Sequence, residues 1–113
     1  MATLDTSYVR QELRAIADSS KSIRKLLYQA LEMLESDPAA FPPLDIVDPS
    51  IARRYTSVVF RKVKLESGTH SYRLVVAHWQ FDDREDHVDV LYAFPRRRGY
   101  PIDWDEVEHM LDP

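Results

Sequence analysis

The apolar residues of this chain change their spacing once, and that change restricts the folds open to it. Val9, Leu13, Ile16, Ile23, Leu27 and Leu34 recur at helical intervals, with Ser20 in the same register. Such a stripe keeps one apolar face over about seven helical turns. From Tyr55 onward the period is two: Val59, Arg61, Val63 and Leu65 alternate with Val58, Phe60, Lys62 and Lys64, the signature of a strand with two distinct faces. A helical half followed by a strand half, in a chain of 113 residues, leaves room for one core and two layers.

Local chemistry divides these halves further. Asp18-Ser19-Ser20 interrupts the stripe with residues that compete for backbone hydrogen bonds and favour caps, so either one long helix or a helical hairpin is allowed. Ser36-Asp37-Pro38 ends the helical half, and Phe41-Pro42-Pro43-Leu44 is an extended link with Phe41 and Leu44 as anchors. Asp48-Pro49-Ser50 opens a short turn of helix. Residues 66–70, with Gly68, make a hairpin loop, and 71–81 a second strand with Arg73, Val75, Ala77, Trp79 and Phe81 on one face. Residues 82–86 form a solvated acidic turn. A third strand over 87–94 alternates Val88, Val90, Tyr92 and Phe94 with Asp89, Leu91 and Ala93. Pro95 to Pro101 is a rigid loop, and Asp103 caps a last helix with Glu106 as its capping-box partner. The expected fold is α+β: a long N-terminal helix or helical hairpin packed on a small antiparallel meander, with a short C-terminal helix.

Charge follows the same division. Residues 1–50 carry a net −3, residues 51–101 a net +4 and residues 102–113 a net −5. The basic residues therefore gather on the meander, although the whole chain is acidic, unlike an outright polyanion-binding domain. The absence of cysteine excludes disulfides and thiolate chemistry. No apolar run approaches membrane-spanning length, and Met1 to Asp5 lacks the pattern of a signal peptide, so a cytoplasmic protein with no membrane partner is expected. The four histidines are scattered; only His78 and His87 have a chance of meeting, across the second hairpin, and neither metal nor cofactor is expected. Gly68 and Gly99 are the only glycines, and no phosphate-binding glycine loop is present.

One constellation suits chemistry. Lys62 and Lys64 share a strand face, Arg73 comes from the next strand, and Arg96, Arg97, Arg98 and Tyr100 follow the third. Ammonium and guanidinium groups converging on a phosphodiester neutralise it and stabilise charge that grows on its oxygens. Tyr100, Tyr72 and Trp79 offer rings on which unpaired bases stack.

These residues, in this order, resemble the RelE/ParE superfamily of toxins from bacterial toxin–antitoxin systems. The resemblance runs through the helices and proline-bearing link, the strand Arg61-Lys62-Val63-Lys64-Leu65, the strand Tyr72-Arg73-Leu74-Val75-Val76, and Val90-Leu91-Tyr92-Ala93-Phe94-Pro95-Arg96-Arg97-Arg98-Gly99-Tyr100. It implies a single RelE-like domain over 1–113. It also implies a ribosome-dependent mRNA endoribonuclease that needs no metal and drives the ribose 2′-hydroxyl onto the adjacent phosphate. By this resemblance Lys62, Lys64 and Arg73 are catalytic. The arginine after the last strand corresponds to Arg96, Arg97 or Arg98, with Arg97 assigned the catalytic place, and Tyr100 corresponds to the C-terminal tyrosine. Arg61, Arg96 and Arg98 are assigned to RNA binding. The implied partners are mRNA on the ribosome and a cognate antitoxin. The ParE branch lacks the nuclease residues and acts on DNA gyrase, so a non-catalytic, protein-binding member is the alternative. The acidic final helix is expected to shield the arginines.

Overall fold

The computed structural model describes residues 1–112. Its elements are β1 (Ala2–Asp5), α1 (Arg10–Ser19), α2 (Lys21–Ser36), α3 (Pro49–Arg54), β2 (Val58–Ser67), β3 (His70–Trp79), β4 (Asp86–Pro95) and α4 (Trp104–Leu111), with 3-10 turns at Ser7–Val9, Pro38–Ala40 and Arg96–Arg98. The fold is α+β, as expected, and the helical half is a hairpin. Ser20 breaks the helix with an extended backbone, and its Oγ accepts the Ile23 amide at 3.1 Å to start α2. Among the described residues no helix is long and apolar enough to cross a membrane.

The sheet has four strands in the order β1-β4-β3-β2. β2, β3 and β4 form the anticipated antiparallel meander, and β1 adds a parallel strand beside β4. The sequence reading left β1 out because four residues, Ala2–Asp5, are too few for a period to declare itself. The outer side of β2 is partly covered: the Leu44 amide donates to Phe60 O at 2.9 Å, and the Lys62 amide to Pro42 O at 3.0 Å. The proline link thus shields an edge that would otherwise offer free backbone groups to another chain.

Two cores sandwich the sheet. On one face Val63, Leu65, Leu74, Val76, Val88, Val90 and Ala93 pack beneath Leu13, Ile16, Ile23, Leu27 and Leu34 of α1 and α2. On the other, Phe60, Ala77 and Leu91 meet Ile51 of α3 and Val107 of α4, with Trp104, Met110 and Leu111 around them. The Trp104 ring stands edge-on to Phe60 at 5.3 Å, and Arg54 of α3 pairs with Glu108 and Asp112.

Strict alternation along β4 fails at one point, and the failure moves two aromatic side chains to the other face. Val76 pairs with Val90 but Val75 pairs with Tyr92, which leaves Leu91 as an extra, bulged residue. A bulge reverses which face later residues take. Val88 and Val90 face the first core as expected, but so does Ala93, while Tyr92 and Phe94 cross to the second face, opposite Val75 and Arg73.

Candidate functional site

The expected cationic cluster is built at the end of the second sheet face that α3 and α4 leave uncovered. The β2–β3 loop is tighter than the sequence suggested, with Ser67 already paired to His70. Gly68 takes the positive φ of 60° that this turn requires. This register sets Lys64 directly opposite Arg73 and Lys62 opposite Val75. On the other flank Arg73 is opposite Phe94, and the Tyr100 ring meets Phe94 edge-on at 5.4 Å. Lys62, Lys64, Arg73 and Tyr100 therefore share one end of one face.

Their individual states differ. Arg73 is only 5% exposed. Its Nη2 donates to Glu66 Oε1 at 2.7 Å, and its Nη1 to Tyr72 O at 3.0 Å and Ser71 Oγ at 3.3 Å. The Arg73 guanidinium holds the Glu66 carboxyl below its ordinary range, with Arg96 adding a weaker pull in the same direction. Lys62 donates to Asp45 Oδ2 at 3.2 Å, and the two line a cavity of ≈ 200 Å³ with Leu44, Ile46, Tyr100 and Ile102. Lys64 is exposed and, among the described residues, forms no ion pair.

Arg96, Arg97 and Arg98 form an exposed 3-10 turn at the end of β4, closed by Gly99 at a φ of 69°. Among the described residues none of the three is in a salt bridge. Arg96 and Arg97 border a cavity of ≈ 320 Å³ with His70, Ser71 and Tyr72. Tyr100, 47% exposed, stands between this turn and the Lys62 cavity. The acidic helix α4 does not shield the turn as expected. Its Glu108, with Asp112, takes Arg54, and Glu106 accepts the Tyr92 hydroxyl at 2.6 Å. That last bond also replaces the capping box: Asp103 caps the amides of Asp105 and Glu106, but the Asp103 amide donates to Tyr92. Burial, reinforced by Glu106, pushes the Tyr92 phenol up to about 12.

Arg61, expected among the RNA contacts, lies elsewhere. It projects to the first face, is buried, and donates to His78 Nδ1 at 3.0 Å and Phe41 O at 2.9 Å. An imidazole nitrogen that accepts from arginine carries no proton, so the proton sits on His78 Nε2, which donates to Asp86 Oδ2 at 2.7 Å. Asp86, half-buried at the start of β4, ends this chain of bonds and is not part of the solvated turn. His87 pairs with Trp79 and projects to the opposite face from His78, so the two histidines do not meet.

The sequence reading missed Glu66 and Asp45, the carboxylates that hold Arg73 and Lys62. Glu66 was legible in principle: a two-residue turn at Gly68-Thr69 places positions 66 and 71 opposite each other, diagonal to Arg73. Asp45 had no such signal, because it arrives on an irregular link. Compared with protein-family models, with curated proteins and with solved structures, the chain finds no match.

Proposed function

We propose that this chain is a RelE-like mRNA endoribonuclease that acts on the ribosome without metal, with the cationic end of the second sheet face as its site. The observation that carries this reading is the direct cross-strand pairing of Lys64 with Arg73, with Lys62 two residues along the same strand face and Tyr100 at the same end. A phosphodiester laid across this corner meets positive charge from two strands, and the arginine turn extends the contact along the RNA backbone. In the reaction the 2′-oxygen forms a bond to phosphorus and the bond from phosphorus to the 5′-oxygen breaks, giving a cyclic phosphate and a 5′-hydroxyl. The lysines bind the phosphate and stabilise the negative charge that develops on the 2′-oxygen as solvent water takes up its proton, with Tyr100 stacking on a base or relaying that proton to water. Arg73 and an arginine of the turn stabilise the charge of the five-coordinate state and supply the proton that the leaving oxygen takes up. Before it can serve, Arg73 must exchange Glu66 for substrate phosphate.

That exchange also motivates a second reading. Arg73 already spends its forked donors within the protein, whereas Arg96, Arg97 and Arg98, exposed on their turn, form no salt bridge among the described residues. A non-catalytic member of the same superfamily, using the arginine turn to dock an acidic protein surface, makes no demand on Arg73. A cognate antitoxin would occupy the same face in either case, with acidic side chains set against it.

Expression in a bacterial host, with primer extension across abundant transcripts, separates the readings. The nuclease reading expects growth arrest, new 5′ ends within translated regions, and relief of both by Arg73→Ala. Continued translation in the presence of well-folded wild-type protein overturns it. A stable complex with a protein partner and intact transcripts would select the docking reading.

A further inference from the structure

The opposite end of the same sheet face carries a second polar cluster that the cationic site does not use. The parallel register of β1 on β4 pairs Thr3 with His87 and Asp5 with Asp89. Because these positions are two apart, all four side chains share one face. One donor atom from each of Asp5, His87 and Asp89 lies within 4.8 Å of the others. Around an ion with bonds of about 2.0–2.2 Å, donor atoms stand roughly 3 to 4 Å apart, so the wider separations close slightly and the His87–Asp89 pair, at 2.8 Å, opens.

Each of the three is also oriented by a partner outside the trio. His87 Nδ1 is 2.6 Å from Thr3 Oγ1. Asp89 Oδ2 accepts from Trp79 Nε1 at 3.1 Å, and Asp5 Oδ1 accepts the Ser7 amide at 2.8 Å. His87 Nε2 and Asp89 Oδ1 meet each other directly at 2.8 Å, so an ion entering here replaces that bond, with an oxygen of Asp5 completing the set. Metal-binding side chains are commonly held in this way, by a hydrogen bond on the atom that does not ligate. Asp89 is only 7% exposed, with Trp79 Nε1 and the His87 ring as its side-chain partners. A buried carboxylate is ordinarily paired with a cation or bound to a metal, and a metal here would take over the place that the His87 Nε2 holds beside it.

We propose that Asp5, His87 and Asp89 bind one divalent transition-metal ion of the zinc class, and that this ion fastens the edge strand β1 to β4. One imidazole and two carboxylates suit zinc and its neighbours better than magnesium or calcium, which favour all-oxygen shells. On binding, the proton that Nε2 donates to Asp89 is displaced to solvent and Nε2 ligates through its lone pair, while Nδ1 carries the ring's proton and donates it to Thr3 Oγ1. Thr3 and His87 also line an open cleft of ≈ 520 Å³ with Phe81, Arg84 and Glu85, which gives the ion a path in. The sequence pattern offers only His78 as a neighbour of His87 and leads to no expectation of a metal; the cluster proposed here joins His87 to Asp89 and to Asp5, on a strand the apolar period does not mark. This site is separate from the RNA reading and stands or falls without it.

The test uses the full chain, stripped with chelator and titrated with Zn2+ under calorimetry, with thermal unfolding and NMR of the histidine ring nitrogens alongside. The expected results are one Zn2+ per chain, a raised Tm, a perturbed His87 Nε2 with a protonated Nδ1, and no effect from equimolar Mg2+. His87→Ala should weaken binding about 100-fold or more, and Thr3→Val by about tenfold. Asp5→Asn, on the short edge strand, provides a ligand variant that keeps the rest of the fold. Absence of stoichiometric binding overturns the proposal, and so does binding that survives Asp5→Asn and His87→Ala undiminished. Should His87→Ala fail to fold, a wild-type His87 ring whose nitrogens do not respond to bound Zn2+ overturns it equally. A ring that simply titrates as an ion pair with Asp89, regardless of Zn2+, does the same.

Discussion

The two faces of this sheet receive helices of different lengths, and the difference decides where chemistry can be placed. The first face lies under α1 and α2, of 10 and 16 residues, and apolar side chains fill it. Its one polar intrusion, Arg61-His78-Asp86, is satisfied internally. The second face lies under α3 and α4, of 6 and 8 residues, which cover only its middle. Its two ends remain for polar groups: lysines and arginines near the β2–β3 turn, aspartates and a histidine beside β1. Short helices thus leave a scaffold with reactive margins, while long ones make a face that serves stability alone.

The largest expected effect tests the stability role of the first face. Leu74 is fully buried beneath the helical hairpin, and Leu74→Ala should cost about 2–5 kcal/mol through lost burial and the cavity left behind, read from the urea midpoint. Lys64→Ala, exposed on the other face, should stay within about 0.5 kcal/mol while impairing RNA cleavage. Equal destabilisation by both would break the contrast between the faces.

The next effect concerns rate rather than folding. If the cationic end is catalytic, Arg73→Ala should lower the cleavage rate by about 10²–10³-fold, the usual consequence of losing one donor to developing charge. Arg73→Lys should recover only part of it, because a lysine cannot present the guanidinium fork. Single-turnover cleavage on programmed ribosomes measures both. Wild-type rates in Arg73→Ala would remove Arg73 from the catalytic set, whereas absence of cleavage by the wild type would leave the arginine turn as a docking surface only.

How far these margins were legible depended on regularity. Along β2 and β3 the period of two put Lys62, Lys64 and Arg73 on one face and Val63, Leu65, Leu74 and Val76 on the other, as the register has them. The same rule failed beyond Leu91, since a bulge is one extra residue with no compositional mark, and it moved Tyr92 and Phe94 to the functional face. β1 was hidden by its brevity, and with it went the partnership of Asp5 with His87 and Asp89. The face on which Arg61 lies was readable from alternation. Its burial was not, because that depends on the link delivering the Phe41 carbonyl to it.

A smaller effect probes the lid over the middle of the second face. Asp103 caps α4 through two amides, at 3.0 and 3.3 Å, so Asp103→Ala should cost about 1 kcal/mol. Loss of hydrogen-exchange protection should concentrate in α4 and spare α1 and α2. Uniform loss across both faces would mean that the two cores unfold as one unit and that the second is no weaker than the first.

The smallest change in stability is expected at Glu66, where it is also the most informative about function. Arg73 lowers the pKa of Glu66 in the folded protein beneath its ordinary value of 4.5. The contact therefore stabilises the fold above that value and is lost as pH falls through the lower, folded-state value. Glu66 is exposed, so solvent screening keeps the energy small, and Glu66→Gln should leave the unfolding midpoint at neutral pH close to that of wild type. It should nevertheless release Arg73 from its charged competitor. The variant is expected to bind a non-cleavable RNA more tightly than wild type at neutral pH, and wild type should approach it as acid protonates Glu66. Fluorescence anisotropy across that pH range reads the difference. Unchanged affinity in Glu66→Gln would mean that Arg73 does not meet phosphate at all, and that the cationic end works through its exposed lysine and arginine turn alone.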